Sequence, residues 1–206
     1  MRSDTVDTYL SELAARVPAP GGGAAGALHA AQGAALVAMV ARYSNGPAEA
    51  EQAPTVERVR ESADTLRERA LVLADQDVSA FRGVGRAHRM PRSTPEEQDA
   101  RTRAIAGALS EAGRVPAEVV AVASRVLDLA EQLRPLCNPN VVSDIAAAAE
   151  AARAAAATSR VNVEINLGAG ADLPNRDELA GAVAATDAVL RRADETTEAV
   201  REQILR

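Results

Sequence analysis

Apolar residues recur along this chain at steps of three and four, the period of an α-helix, and no stretch shows convincing alternation with a period of two. The pattern predicts helices near 4–16, 23–44, 54–89, 95–113, 116–134, 141 to beyond 160, and 179–205. The segment VNVEINL (161–167) comes nearest to a strand, and the alternative is that it caps the helix before it. The fold class predicted is all-α, with one helical domain over residues 1–206.

Proline and hydroxyl residues mark several helix ends. Thr94 followed by Pro95 is a helix start, because threonine caps a helix and proline fits its first position. We expect one helix to end near Gly113 and another to begin at Pro116, with a turn at CNPN (137–140).

Composition removes several classes of protein. Hydrophobic residues make up 47% of the 206 positions, yet the chain has two Tyr, one Phe and no Trp. A β-sandwich and a single-strand nucleic-acid binder both need more aromatic side chains than this chain has. The formal net charge of −6 provides no basic field for phosphate backbones, so no nucleic-acid partner is expected.

The reactive side chains are few. All 23 basic residues are arginine, which excludes a Schiff-base lysine and a P-loop lysine. With one cysteine, Cys137, and two histidines, His29 and His88, neither a disulfide nor a thiolate or histidine metal centre is expected.

The beginning of the chain indicates location. The polar segment MRSDTVDTYL has no apolar export region, so cytoplasmic residence is predicted. Residues 17–41 carry no formal charge, but they contain PAPGGG, His29 and Gln32 and are mostly alanine and glycine. This composition favours a buried helix over a membrane span.

Asp77 stands out on the third long helix. It lies in the middle of a stripe at steps of three and four, from Val59 to His88, that we expect to be buried, whereas Asp75 points elsewhere. Burial would raise the pKa of this carboxyl and suit it to general acid and base chemistry. The alternative is a structural aspartate that pairs with an arginine or bonds a neighbouring helix terminus.

Two other segments are candidates for binding. The glycines at 21–23 precede a helix, so its amides could receive an anionic or carbonyl group, or the glycines could simply allow close helix packing.

Small and polar residues then form a stripe from Asp144 to Asn162 and Asn166. In one continuous helix, Asp144 and Asn162 stand roughly 27 Å apart. A long ligand could span them, a second subunit could supply one of them, or one could be structural. Asn140 and Ser143 could instead cap this helix.

The ordered motifs resemble those of a known family. They are VPAPGGGAAGAL (17–28), AMVARYS (38–44), ADQDVSAF (74–81), the Pro91–Glu97 segment, NPNVVSD (138–144) and NVEINL (162–167). Together they resemble the cyclodeaminase/cyclohydrolase family, which includes the C-terminal half of formimidoyltransferase-cyclodeaminase and stand-alone methenyltetrahydrofolate cyclohydrolases.

The resemblance implies a dimerising bundle of long antiparallel helices and a folate-borne one-carbon unit as substrate, with no other cofactor. It implies Asp77 as the proton donor and acceptor. The substrate-binding residues it implies are Gly21, Gly22, Gly23, Asn140, Ser143, Asp144, Asn162 and Asn166.

Two reactions fit this expectation, cyclodeamination of 5-formimidoyltetrahydrofolate and hydrolysis of 5,10-methenyltetrahydrofolate. A family member with another substrate and a non-catalytic helical scaffold are the alternatives. The chain departs from its relatives at SNGPAEAE (44–51), where basic residues are usual, and at Cys137, where glycine is common.

Overall fold

Six α-helices and no strand make up the described part of the chain in the computed structural model, which covers residues 4–44, 51–169 and 172–206. The helices are α1 (Val6–Ala14), α2 (Gly22–Tyr43), α3 (Ala53–His88), α4 (Pro95–Leu133), α5 (Ser143–Gly168) and α6 (Arg176–Ile204). Short 3₁₀ turns at Arg134–Leu136 and Pro139–Val141 join α4 to α5. The all-α prediction is confirmed.

Helix α2 is largely enclosed by the other helices. Its buried positions are almost all alanine, glycine and valine, so neighbouring backbones approach it closely. It is long and apolar enough to cross a membrane by those two criteria alone, but 61% of the qualifying window is buried inside the fold. The predicted buried helix is confirmed.

Glycine permits the closest approach of α2 to α5. A Cβ built at Gly33 would lie 3.0 Å from the carbonyl oxygen of Ala148, so a side chain here would press on the α5 backbone. At the beginning of α2, Gly22 lies beside Asn162, near the end of α5. At the other end of α2, the backbone amide of Asn138, in the loop before α5, donates to Ser44 Oγ at 2.9 Å.

Helix α4 corrects one expectation. The predicted break between Gly113 and Pro116 is wrong, because one helix runs from Pro95 to Leu133 with Pro116 inside it. Val115, Pro116 and Val119 are all buried. Packing of this apolar face therefore outweighs the hydrogen bond that an internal proline removes from the helix.

The remaining helix ends follow the sequence with small shifts. Thr94 caps α4 through a bond from Glu97 N–H, with Glu97 bonding back to the threonine amide, as the sequence predicts for this start. The last predicted helix begins earlier than expected, at Arg176. Residues 161–167 are neither a strand nor a cap but the last turns of α5, where Val163 is fully buried.

Helix α2 begins partway along its neighbours. Its first turn, at Gly22 and Gly23, contacts Asn162 of α5 and Asp77 of α3. Beyond those contacts α3 continues to His88 and α5 to Gly168. The last turns of α3 and α5 therefore extend past the start of α2, and we call the region beyond that start, flanked by these two helix ends, the cleft.

Candidate functional site

Asp77 lies at the boundary between core and cleft on α3. The stripe that precedes it is fully buried at Leu66, Ala70 and Leu73, whereas Asp77 itself is only partly covered. The backbone N–H of Ala24, in the first turn of α2, donates a hydrogen bond to the Asp77 carboxylate. The start of α2 thus meets the carboxylate with a free amide and the positive end of its dipole.

Gly23 makes this contact possible. A Cβ built on Gly23 would lie 2.0 Å from Asp77 Oδ1 and 2.5 Å from its Cγ, distances that real atoms do not adopt. The carboxylate therefore rests directly against the Gly23 backbone. The predicted glycine segment and the predicted carboxylate belong to one local arrangement.

Burial raises the pKa of Asp77 above the usual aspartate value, and the Ala24 amide opposes that rise without cancelling it. No charged side chain contributes to the shift. Both protonation states thus come closer in free energy at neutral pH than for an exposed aspartate. A carboxyl of this kind can accept a proton and later return it.

The structural alternative for Asp77 has two versions, and the structure distinguishes between them. Pairing with an arginine is wrong for the described residues, because no positive side chain lies close enough to affect this carboxyl. Bonding to a neighbouring helix terminus is confirmed by the Ala24 amide.

We expect Asp77→Asn to stabilise the protein at pH 7. Because the folded-state pKa is raised, the folded chain binds this proton more tightly than the unfolded chain. Stability is therefore lost as pH rises from the unfolded value, about 3.9, through the folded one. Asparagine stays neutral and escapes that loss. Urea unfolding should show a higher midpoint for the variant at pH 7 and convergence below pH ~4. Equal midpoints at pH 7 would contradict the raised pKa.

Asn162 and Asn166 occupy the end of α5 beside the start of α2. A Cβ built at Gly22 would lie 3.8 Å from Asn162 Nδ2, so this carboxamide borders the first turn of α2, which Asp77 also contacts. Asn162 donates to the Thr158 carbonyl at 2.8 Å, and Asn166 donates to the Asn162 carbonyl at 2.7 Å. These bonds fix both carboxamides against their own helix. Both use the side-chain nitrogen as donor, so neither bond gives a side-chain oxygen a protein partner.

Gly21 lies at the edge of the cleft. It is the N-cap of α2, and no heavy atom lies within 4 Å of a Cβ built on it. The structure thus brings together residues 21–23, Asp77 and Asn162, with Asn166 one turn further along α5.

Asn140, Ser143 and Asp144 lie at the other end of the molecule. Helix α5 is continuous from Ser143 to Gly168, so Asp144 and Asn162 are separated by roughly 27 Å. The first turn of α5 follows the loop that contacts the end of α2, where Asn138 bonds the Tyr43 carbonyl at 3.2 Å. Within a single chain, these three residues therefore do not reach Asp77.

Capping of α5 by Asn140 or Ser143 is wrong. Val142 is the N-cap residue and provides no side-chain bond. Asn140 instead donates its backbone N–H to Asn138 Oδ1 at 3.0 Å, and Asn138 caps the preceding 3₁₀ turn. The hydrogen bonds of the described residues give the side chains of Asn140 and Ser143 no capping role.

Sequence reasoning missed the partner of Asp77. Nothing in the periodicity links Ala24 to a residue more than fifty positions away, and only the glycines before it indicated an accessible helix start. It also missed a cavity of about 580 Å³ beneath α1, lined in part by Tyr9, His29 and Arg67. No sequence signal marks that cavity, because it depends on how α1 lies over α2 and α3.

Comparisons with known proteins bear on what this site does. The family model described as formiminotransferase-cyclodeaminase matches residues 5–185. A methenyltetrahydrofolate cyclohydrolase of Methylorubrum extorquens is 37% identical over 165 residues, which cover 80% of this chain and 79% of the relative.

Two other relatives carry cyclodeaminase names. Formimidoyltransferase-cyclodeaminase of Rattus norvegicus is 32% identical over 160 residues, which cover 77% of this chain but 30% of the rat protein. A crystal structure of formiminotetrahydrofolate cyclodeaminase from Thermotoga maritima superimposes with a TM-score of 0.86 at 28% identity. That match covers 100% of this chain and 99% of the other.

Proposed function

Since the chain belongs to the formiminotransferase-cyclodeaminase family, we propose that it cyclises 5-formimidoyltetrahydrofolate to 5,10-methenyltetrahydrofolate with loss of ammonia. The observation that carries this proposal is the partly buried Asp77 carboxyl, with a raised pKa, against the open start of α2. The relatives named above are enzymes, which disfavours a non-catalytic scaffold.

The reaction needs one proton removed and one supplied. Nitrogen 10 of the substrate attacks the carbon of the protonated amidine on nitrogen 5, and a ring closes through a tetrahedral centre that carries an amino group. The ionised Asp77 takes the proton from nitrogen 10. The protonated Asp77 then gives it to the departing amino group, which leaves as ammonia when the carbon–nitrogen bond breaks. A raised pKa suits both steps because it brings the two protonation states closer in free energy than in an exposed aspartate.

Orientation comes from uncharged groups around Asp77. We propose that the carboxamides of Asn162 and Asn166 and the backbone at 21–23 hold the polar edge of the pterin. The fixed amide nitrogens of both asparagines support this role, since a prealigned group loses little freedom when a ligand binds.

Methenyltetrahydrofolate cyclohydrolase is the second candidate. It is favoured by the Methylorubrum extorquens relative, which carries that name and is covered over 79% of its length. In that reaction Asp77 would take a proton from water as the oxygen bonds to the methenyl carbon. Asp77 would then return that proton to nitrogen 5 as the bond from the carbon to nitrogen 5 breaks. The hydroxyl proton leaves to solvent as the carbonyl of 10-formyltetrahydrofolate forms.

We also propose a homodimer of single-domain chains, cytoplasmic and without a further cofactor. The contacts of α2 with α5 support an antiparallel arrangement of this pair, because Gly22 meets Asn162 and Gly33 meets Ala148. In a dimer, Asn140, Ser143 and Asp144 could act at a partner's cleft, and otherwise they hold a distant part of a long ligand or are structural. The departure at 44–51 lies outside the described residues except at Ser44 and Glu51.

Absorbance of the methenyl cation in the near ultraviolet tests the proposal. Purified protein with 5-formimidoyltetrahydrofolate should make this band grow faster than in a protein-free blank. Faster loss of the band from 5,10-methenyltetrahydrofolate would instead support the cyclohydrolase. If both traces match their blanks, the folate assignment is wrong.

A further inference from the structure

The only phenylalanine of the chain is exposed beside the candidate site. Phe81 lies one helical turn beyond Asp77 on α3, and 54% of it is open to solvent. The helical period puts it on the stripe whose earlier members, Leu66 and Leu73, are fully buried. Burying a phenylalanine stabilises a fold, so this exposure gives up a substantial part of that gain.

The start of α2 explains why Phe81 is uncovered. Asp77 contacts the first turn of α2 at Gly23, and Phe81 is one turn further along α3. No residue of α2 extends that far, since the helix begins at Gly22. The ring therefore borders the cleft, whereas Val84 on the next turn packs against the apolar cluster formed by α4, α5 and α6.

We propose that Phe81 binds the substrate by stacking against its flat ring system next to Asp77. This inference rests on the proposed function, because both folate substrates carry a pterin and an aminobenzoyl ring. The site otherwise offers carboxamides and backbone groups, which hold the polar edge of a ring and leave its faces to water. An aromatic side chain one turn from the acid–base group covers such a face and fixes its height over the carboxyl.

The other exposed aromatic residue provides a matched control. Tyr43 ends α2 at the opposite end of that helix and is 63% exposed. Tyr43→Leu removes an exposed aromatic surface similar to that of Phe81, but far from Asp77. It tests whether loss of an exposed ring by itself affects the enzyme.

The experiment compares Phe81→Leu, Phe81→Tyr and Tyr43→Leu with the wild type in the methenyl absorbance assay. Stacking of a flat ring on an aromatic side chain contributes about 1–3 kcal/mol, which corresponds to roughly five- to 150-fold in affinity. We expect Phe81→Leu to raise KM roughly tenfold, with kcat reduced less, and Phe81→Tyr and Tyr43→Leu to stay within about twofold. Calorimetric titration of substrate into the same Phe81 variants carrying Asp77→Asn should show the same loss of affinity without turnover.

Each result decides a different point. An unchanged KM for Phe81→Leu in an active enzyme overturns this inference and leaves the proposed function standing. A change in sedimentation for Phe81→Leu without a change in substrate affinity also overturns it, because Phe81 would then belong to a subunit interface. A wild-type protein that neither binds nor converts either folate overturns the proposed function and this inference with it.

Discussion

Replacing Asp77 by asparagine should lower the rate of the folate reaction at least about a hundredfold while the fold is retained. Asparagine has nearly the same shape, and its side-chain oxygen can still accept the Ala24 N–H bond. What it loses is the ability to take up and release a proton. The measurement is kcat from the methenyl absorbance assay, together with the helical circular dichroism of the variant.

Asp75→Asn is the matched control for this prediction. It neutralises a carboxylate two residues away, on another side of the same helix, and should leave kcat within about twofold. In the wild type, activity should fall as pH drops through the pKa of Asp77, which burial places above the usual aspartate value. An Asp77→Asn protein with more than a tenth of the wild-type rate would remove Asp77 from the chemical step.

Gly23→Ala, which adds a single methyl group, should have the second large effect on kcat. The Cβ of alanine would overlap Asp77 Oδ1, so the carboxylate must rotate away from the start of α2 and give up the Ala24 bond. Because a displacement of about 1 Å at a reacting group costs on the order of a hundredfold in rate, we expect Gly23→Ala to lower kcat by that order.

Stability should change much less than activity in this variant. The atom displaced is the end of a side chain rather than backbone, and alanine is favoured over glycine within a helix by about 1 kcal/mol. Gly107→Ala is the control, because no heavy atom lies within 4 Å of a Cβ built there. It should leave kcat unchanged and slightly raise the unfolding midpoint. If Gly23→Ala kept full activity, the contact between Gly23 and Asp77 would have no part in catalysis.

The sequence by itself determined the helical class and the candidate chemistry. The period of three and four identified the helical segments, although the sequence divided α4 in two. Thr94 with Pro95 marked the start of α4 because capping uses only neighbouring atoms. The same period placed Asp77 in the middle of an apolar stripe. The structure shows that the full burial of this stripe ends just before Asp77. The glycines at 21–23 indicated a helix start that other groups could approach closely.

Only the tertiary structure decided how those pieces meet. Pro116 continues a helix because its buried neighbours outweigh the local break, and the carboxylate of Asp77 bonds Ala24 because α2 happens to begin beside it. The same offset leaves Phe81 uncovered. A periodic pattern records which side of a helix is apolar, but it carries no information on where along that helix a neighbour begins.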